Sequence, residues 1–352
     1  MNNKIHAGRF FEHFTIGEVL QHATPRTITA GDASLYIALT GSRNPLHCSE
    51  PFAQSLGYDK TPIDDLLAFH IAFGKTVPDI SVNAVANLGY ADVRFLQPIY
   101  VGDTLSTSSE VIGLKQNSNG KNGLVYVRST SINQRHQPVM SWVRWVMVHK
   151  QNIDAPAPQS VIPALPSHVS VDRLCLAPNL SATHFDTQNT SGNHFWEDYA
   201  MGERINHPSG MTINTSDHSL ATRLYQNNAR LHFDNHAMQS SSFGKRLVYG
   251  GVVISTCRAL SFEGLENALS ILAINAGTHA NPCFAGDTIY TFTEVLEKWE
   301  INHRNDVGAL RLRMVGIKNA LPNEIKEIKQ FNGYHPHVVL DLDYTVLMPR
   351  KN

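Results

Sequence analysis

Residues 11–47 read FEHFTIGEVLQHATPRTITAGDASLYIALTGSRNPLH. They have a counterpart in residues 196–232, which read WEDYAMGERINHPSGMTINTSDHSLATRLYQNNARLH. At a constant offset of 185, the two stretches are identical at 12 of 37 positions, without a gap. Average usage of roughly 5–7% per residue type would give about two or three identities. The chain therefore contains an internal duplication, and this duplication decides the fold.

The same register continues further along the chain. PIYVGDTLSTSSEV (98–111) matches PCFAGDTIYTFTEV (282–295) at an offset of 184, and GLVYVR (123–128) matches GALRLR (308–313) at 185. A repeat this long is a whole domain rather than a solenoid unit. We predict an N-terminal domain over 1–150, a proline-rich linker over 151–190 and a C-terminal domain over 191–352. The linker prolines favour an extended tether rather than packed structure.

Each copy shows the same order of elements. A helix capped by Thr29 and Asp32, or by Ser216 and Asp217, is followed by an irregular stretch that ends in a histidine. A long apolar helix is then predicted over 61–77 and over 246–262, and strands rich in β-branched residues follow. The pattern predicts an α+β fold in which each half wraps a curved antiparallel sheet around a central apolar helix.

Composition excludes several classes of protein. The 352 residues carry 29 Lys+Arg against 30 Asp+Glu, a net charge of -1, which argues against a nucleic-acid partner. No run approaches the roughly 18 apolar residues of a membrane span, and we expect no signal peptide and no membrane partner. The four cysteines form no CxxC pair, so we expect buried free thiols in a reducing cytoplasm.

Two short motifs carry a resemblance to a known family. The motif of the MaoC-like hydratase family resembles a segment in each copy. In the first copy this segment is GSRNPLH (41–47), followed by Phe52-Ala53, and in the second it is QNNARLH (226–232), followed by Tyr249-Gly250. The resemblance implies a tandem (double) hot-dog fold, a homodimer, and reversible syn hydration of an enoyl-CoA thioester. It implies no metal and no cofactor beyond the coenzyme A of the substrate.

Three strand segments narrow the resemblance. They resemble family members that act as lyases on 2-methylfumaryl-CoA (mesaconyl-CoA) and hydrate it to β-methylmalyl-CoA. The segments are TLSTSSEVIGLKQNSNGK, VYVRSTSINQR and VLDLDYTVLMPR. The expected function is therefore hydratase or dehydratase activity on a branched enoyl-CoA.

Water adds to an enoyl thioester only if the developing enolate is stabilised, and free amides at a helix N-terminus provide this. Gly250 and Gly251 begin the second central helix, and Gly250 lies 250 − 232 = 18 residues after His232. The position equivalent to Gly250 in the first copy is Asp65 (250 − 185), whose carboxylate would repel an enolate. We therefore predict the active site in the second copy, with Tyr249 and Gly251 among its substrate-binding residues.

The proton-transfer residue departs from the family pattern. The family places a carboxylate five residues before the histidine, where this chain has Asn227 and Ser42, neither of which takes up a proton at neutral pH. We predict His232 as acid and base, with Asn227 orienting water or substrate. Asp234 and Asp65 are alternative carboxylates.

His47, the counterpart of His232, is a secondary candidate for catalysis. It could instead be a loop histidine or part of the acyl pocket. A dicarboxylic acyl group also requires a cationic partner, for which Arg230, Arg43 and Arg258 are candidates, although each is equally compatible with a surface ion pair. The histidines lack metal-ligand spacing such as HExxH, so we expect no metal.

Other functions stay open at this point. An (R)-specific 2-enoyl-CoA hydratase or an itaconyl-CoA hydratase would share the same chemistry. A hot-dog thioesterase would require a carboxylate near the glycine helix, and a non-catalytic acyl-CoA-binding protein would fit the loss of both family carboxylates.

Overall fold

The computed structural model describes Lys4 and residues 8–351, and it has the predicted α+β architecture. Its strands, in chain order, are β1 Val19–Gln21, β2 Arg26–Thr27, β3 Ala84–Phe95, β4 Thr104–Gln116, β5 Asn122–Ile132, β6 Pro138–His149, β7 Arg204–Asn206, β8 Met211–Thr212, β9 Ile271–His279, β10 Thr288–Glu300, β11 Val307–Lys318, β12 Lys329–Gln330, β13 Gly333–Tyr334 and β14 Val338–Pro349. Its α-helices are α1 Ala30–Thr40, α2 Pro45–Cys48, α3 Glu50–Ser55, α4 Asp65–Ile80, α5 Thr215–Leu224, α6 Arg230–Phe233, α7 Asn235–Met238 and α8 Gly250–Leu260.

The two central helices are α4 and α8, and both are predicted by the apolar runs of the sequence. Almost every residue of each helix is buried, because the sheet of its own half and the other half of the molecule cover it. The helices begin at Asp65 and Gly250, which are separated by the offset of 185 that relates the two copies. The central-helix prediction is confirmed, with starts a few residues inside the predicted ranges.

A single antiparallel sheet joins the two halves. Its strand order is β1-β4-β5-β6-β3-β9-β14-β11-β10-β7, with β2 and β8 paired to β4 and β10. The junction is the antiparallel pair β3–β9, in which Tyr90 lies opposite Gly277 and Val93 opposite Ile274. Buried side chains from both halves form one continuous core beneath it. The arrangement is a tandem of two hot-dog units, as predicted.

Equivalent polar contacts show how closely the copies correspond. His22 Nε2 lies 2.7 Å from the Ser109 hydroxyl, and His207 Nε2 lies 2.9 Å from the Thr293 hydroxyl. Each of these histidines is buried and holds the start of its half against a long strand. The duplication read from the sequence is therefore a duplication of tertiary contacts.

The segment between the halves is mostly exposed over residues 151–168, but it follows the surface and makes specific contacts instead of forming a free tether. Val161 pairs with Leu114 on the edge of the sheet, and the Val169 amide donates to the Asn275 side chain at 2.9 Å. Further on, the Ala182 amide donates to Asp306 at 2.7 Å. The prolines remove backbone donors, but several of the remaining amides find acceptors on the surface of the two halves.

Two smaller expectations need correction. The first helix is capped by Thr29 as predicted, with its hydroxyl accepting from the Asp32 amide, but the N-cap of α5 is Asn214 rather than Ser216 or Asp217. The four cysteines are free, yet Cys48 is exposed, whereas Cys257 and Cys283 are buried. Within the described residues, no helix combines the length and the apolar character that a membrane crossing requires.

Candidate active site

The start of α8 presents backbone amides without a capping side chain. Its N-cap residue, Tyr249, has an extended backbone conformation and makes no side-chain cap hydrogen bond. The first amides of a helix have no partner within the helix and carry the positive end of its dipole. Gly250, the first residue of α8, lines a cavity. The helix start can therefore stabilise negative charge on a ligand oxygen in this cavity.

Gly250 is required by a close neighbour. A Cβ atom at this position would lie 2.2 Å from Cε1 of His279 and 2.5 Å from its Nε2. Gly251 has a different role, because its Cα lies against the rings of Tyr249 and His70 and it is not among the residues lining the cavity. Of the two predicted glycines, the structure brings only Gly250 to the cavity wall.

His232 is held in one orientation beside this helix start. Its Nδ1 donates to the Leu247 carbonyl oxygen at 3.0 Å, so Nε2 is the ring nitrogen that carries the lone pair. Its ring centroid lies 5.4 Å from that of Tyr249. Burial lowers the pKa of His232 to about 4, and the carbonyl contact only partly opposes this shift. The imidazole is therefore neutral at pH 7 and can accept a proton.

Asn227 shapes the turn that leads to His232. Its Oδ1 accepts a hydrogen bond from the Ala229 amide at 3.0 Å, which leaves the amide NH₂ group as a donor. Its side chain also interacts with the Tyr249 hydroxyl. This contact lowers the pKa of Tyr249, but burial raises that pKa by much more. Asn227 is buried and lines the same cavity as His232 and Gly250.

The cavity has a volume of about 290 Å³ and is built by both halves of the chain. The second half contributes His232, Asn227, Tyr249 and Gly250, and the first half contributes the apolar and polar residues Phe73, Val77, Asn87, Tyr90 and Arg144. No aspartate or glutamate is present among the described residues that line it. The imidazoles of His232 and His279 are therefore the groups of this lining that titrate nearest to neutral pH when unperturbed.

The equivalent place in the first half is closed. His47 Nδ1 donates to the Pro62 carbonyl oxygen at 3.2 Å, as its counterpart does, but its Nε2 lies 3.9 Å from Asp65. Asp65 accepts from the Ile271 amide at 2.8 Å, and Asp64 caps the helix by accepting from the Leu66 amide at 2.9 Å. Two recesses lined by His47 and Asp65 measure about 10 Å³ and about 30 Å³, far less than the cavity of the second half.

Three predicted substrate-binding arginines and one alternative carboxylate, Asp234, lie elsewhere. Arg43 pairs with Glu263 at 3.0 Å, and Arg258 lines the small first-half recess. Arg230 is exposed, and exposed Asp234 caps α7 by accepting from the Ala237 amide at 2.9 Å. None of these four residues lines the cavity. Arg230 and Asp234 are near His232 in sequence, but the short helices α6 and α7 direct them away from the cavity.

Three polar residues of the cavity were missed by the sequence reading: Tyr90, Arg144 and His279. His279 Nε2 lies 2.9 Å from the Tyr90 hydroxyl oxygen. Arg144 could have been found, because it is a lone charge at the core-facing positions of an apolar strand, VMSWVRWVMVH. Tyr90 and His279 have no such signal, since the pairing of β3 with β9 brings them together.

The comparisons with known proteins agree with this architecture. The profile of the MaoC like domain matches residues 11–133. The chain is 54% identical over 351 residues to the β-methylmalyl-CoA dehydratase of Chloroflexus aurantiacus, with 100% of each chain covered. It is 50% identical over 347 residues to the mesaconyl-CoA hydratase of Cereibacter sphaeroides, covering 99% of this chain and 100% of the relative.

Solved structures give the same result. A MaoC domain protein dehydratase from Chloroflexus aurantiacus superimposes with a TM-score of 0.97 at 53% identity over 100% of both chains. A Mycobacterium tuberculosis protein described as a double hotdog fold superimposes with a TM-score of 0.72 at 24% identity, covering 97% of this chain and 99% of that one, and shows the fold alone. By its fold, and by its identity to relatives over its whole length, the chain belongs to the MaoC-like hydratase and dehydratase family.

Proposed function

We propose that this protein is a hydro-lyase that reversibly adds water to a branched enoyl-CoA thioester, converting 2-methylfumaryl-CoA (mesaconyl-CoA) to β-methylmalyl-CoA. The observation that carries this proposal is the second-half cavity, where an uncapped helix start and a neutral imidazole face the same space. The named activities of the two relatives that match the whole chain support the acyl group.

The thioester oxygen is proposed to accept hydrogen bonds at the start of α8. As water adds to the β-carbon, electron density moves onto this oxygen, and the resulting enolate is stabilised by the Gly250 amide and the helix dipole. Glycine at position 250 lets the helix start lie directly against the His279 ring in the cavity wall. In the first half, the Asp65 carboxylate at the equivalent position would repel the same charge.

His232 is proposed to move the proton. Its Nε2 takes a proton from the water molecule as the oxygen bonds to the β-carbon, and the imidazolium then gives a proton to the α-carbon when the enolate collapses. One group acting on one face of the double bond gives syn addition. Asn227 would orient the water with its NH₂ group, since it cannot itself accept a proton.

The proposed reaction requires no redox cofactor, because adding water transfers no electrons to or from the substrate as a whole. Coenzyme A arrives with the substrate. Following the family resemblance, we also propose that the protein works as a homodimer in the cytoplasm. Light scattering coupled to size-exclusion chromatography tests the dimer, with a monomer mass as the contradicting result.

Two measurements on the purified protein test the reaction. Ultraviolet absorbance follows loss of the conjugated enoyl thioester, and a thiol reagent follows release of free CoA, each with mesaconyl-CoA, crotonyl-CoA and acetyl-CoA. Loss of enoyl absorbance without thiol release is the expected result for mesaconyl-CoA. Thiol release would identify a thioesterase, and no change with any substrate would indicate a binding protein. Either result contradicts the proposal.

A further inference from the structure

Arg144 is a fully buried cation in the wall of the cavity. It lies in the middle of β6, where its side chain shares the core-facing side of the strand with Trp142 and Val146, and its exposed fraction is 0%. Arginine is rarely found at such a position without a charged partner, because removing a guanidinium from water is costly.

The described residues offer this guanidinium no hydrogen-bond acceptor. Its Nε, Nη1 and Nη2 atoms are all buried and without a partner among them. One face of the guanidinium lies on the Phe73 ring, with Cζ 4.3 Å from the ring centroid. Burial lowers the pKa of Arg144 to about 10, so the group is still a cation at neutral pH.

Other arginines of the sheet are paired. Arg311 donates to Asp343 at 2.6 Å, Arg313 to Asp341 at 2.8 Å and Arg128 to Asp92 at 2.9 Å. Their side chains are also less buried than that of Arg144. Arg144 therefore differs from them in both burial and pairing, and it is the one of these four that lines the cavity.

A continuous row of contacts joins Arg144 to the proposed reaction centre. The ring of His279 lies against Gly250 at the start of α8, and its Nε2 lies 2.9 Å from the Tyr90 hydroxyl oxygen. Tyr90 is the cross-strand partner of Arg144, and opposite residues of an antiparallel pair point to the same face of a sheet. Arg144 thus lies beyond the oxyanion position along the same wall of the cavity.

We propose that Arg144 binds the free carboxylate of a dicarboxylic acyl group and selects such acyl groups over uncharged ones. This inference rests on the proposed hydratase function and names the residue that decides its substrate class. A planar guanidinium can donate two parallel hydrogen bonds to a carboxylate. Phe73 covers one face of the guanidinium, and the N–H groups along its edge are the donors that lack a partner among the described residues.

Selectivity follows from the same geometry. A carboxylate on the acyl chain would compensate the buried positive charge, whereas a methyl group in its place would leave the charge without a partner. Sites built to pair a polar group discriminate strongly against analogues that lack it. The matched pair of substrates is mesaconyl-CoA and 2-methylcrotonyl-CoA of the same double-bond geometry, which carries a methyl group instead of the carboxylate.

The test compares kcat/KM for these two substrates in the wild type and in Arg144→Met, which keeps an apolar side chain of similar length. We expect the mesaconyl-CoA value to fall by about 100-fold or more and the 2-methylcrotonyl-CoA value to stay equal or rise. Arg144→Lys keeps the positive charge but loses the planar pair of N–H donors. Its kcat/KM for mesaconyl-CoA should lie between the values of the wild type and of Arg144→Met. Equal losses for both substrates in Arg144→Met, or no loss with mesaconyl-CoA, would overturn the proposal.

Arg128→Met is the matched control. Arg128 lies on the neighbouring strand β5 and does not line the cavity, and its partner Asp92 also has Arg94 and Arg173 within ion-pair distance. The substrate preference of this variant should equal that of the wild type. A loss of preference as large as in Arg144→Met would assign the effect to removal of any arginine of the sheet.

A second measurement does not depend on folding of the methionine variant. Binding of two saturated analogues, methylsuccinyl-CoA and 2-methylbutyryl-CoA, is measured by calorimetry in the wild type and in Arg144→Lys. We expect the wild type to bind methylsuccinyl-CoA more tightly than 2-methylbutyryl-CoA. In the lysine variant, the logarithm of the ratio of the two dissociation constants should be at most half of the wild-type value. A wild type that hydrates mesaconyl-CoA, with a substrate preference that Arg144→Lys leaves unchanged, overturns this inference alone, whereas a wild type that does not hydrate mesaconyl-CoA overturns the proposed function.

Discussion

His47 and His232 stand at equivalent positions and make equivalent contacts, yet their surroundings differ. Each donates from Nδ1 to a backbone carbonyl oxygen, of Pro62 and of Leu247 respectively. The remaining nitrogen of His47 faces Asp65 at 3.9 Å, whereas His232 lines a cavity of about 290 Å³. The same residue type therefore has access to a ligand in only one of the two halves.

Replacing these two histidines in turn tests this asymmetry. His232→Ala should lower kcat for mesaconyl-CoA hydration by roughly 10²–10⁴-fold, the usual contribution of a general acid–base group. His47→Ala should lower it by less than about 10-fold, because that side chain lines only small recesses of about 10 Å³ and 30 Å³. The measurement is initial-rate kinetics, and equal losses would show that the single-site assignment is wrong.

At the scale of elements, the two central helices differ in how they begin. Asp64 caps α4 with its carboxylate and Asp65 accepts from the Ile271 amide, so that helix start is closed by side chains. Tyr249 provides no such cap to α8, and Gly250 leaves its first turn open to the cavity. A two-residue difference in sequence thus turns a structural helix start into one that can bind an anion.

Gly250→Ala tests the open helix start. The added Cβ would lie within 2.6 Å of several atoms of the His279 ring, so this ring must move into the cavity or the helix start must shift. We expect kcat/KM to fall by about 100-fold, similar to the loss of one oxyanion donor.

Gly31→Ala is the matched control, because Gly31 also lies in the first turn of a helix. A Cβ there would meet only the Thr29 hydroxyl oxygen at 3.6 Å. Its activity should match that of the wild type, and thermal melting of both variants separates folding from catalysis. If Gly250→Ala keeps wild-type activity, the start of α8 does not stabilise the enolate.

At the scale of the whole molecule, the fold keeps several imidazoles neutral. Burial lowers the pKa of His207, His232 and His279 to about 4 each, and that of His70 to about 3. These residues come from both halves and share one continuous sheet and core. Protonation of any of them opposes folding of the whole chain.

The sign of the resulting pH dependence can be worked out. Unfolded histidine has a pKa near 6.5, so between about 6.5 and 4 the unfolded chain binds more protons than the folded one, and the free energy of unfolding falls as the pH falls. Burial raises the pKa of Asp65 to about 6, so protonation of this carboxylate raises the free energy of unfolding as the pH falls. This opposing contribution comes from one group, whereas the decrease comes from the four histidines.

Urea unfolding followed by circular dichroism between pH 7.5 and pH 4.5 measures this dependence. The free energy of unfolding should decrease by on the order of several kcal/mol over that range. The variant His207→Gln, which changes a buried histidine outside the cavity, should show a shallower decrease than the wild type. A stability that is flat over this range would show that these imidazoles are not held neutral.

The sequence predicted those parts of the fold that depend on local pattern and repetition. The duplication, the two central helices and the presence of strands after each helix follow from identities at one offset and from apolar periodicity. His232 followed from its duplicated counterpart His47, whereas Asn227 and Gly250 were predicted because they occupy positions that the resembled family uses for its carboxylate and its glycine helix start. The contrast between Asp65 and Gly250 also required only the alignment of the two copies.

Tertiary structure alone decided which residues from distant parts of the chain meet at the cavity. Arg230 and Asp234 are neighbours of His232 in sequence, but a short helix turns them towards solvent, whereas Arg144 and Tyr90 reach the cavity from the other half. The pairing of β3 with β9 sets this arrangement, and no local pattern encodes which strands of two similar halves will lie side by side. The physical reason is that backbone pairing between halves is sequence-tolerant, so its partners are chosen by packing of the shared core as a whole.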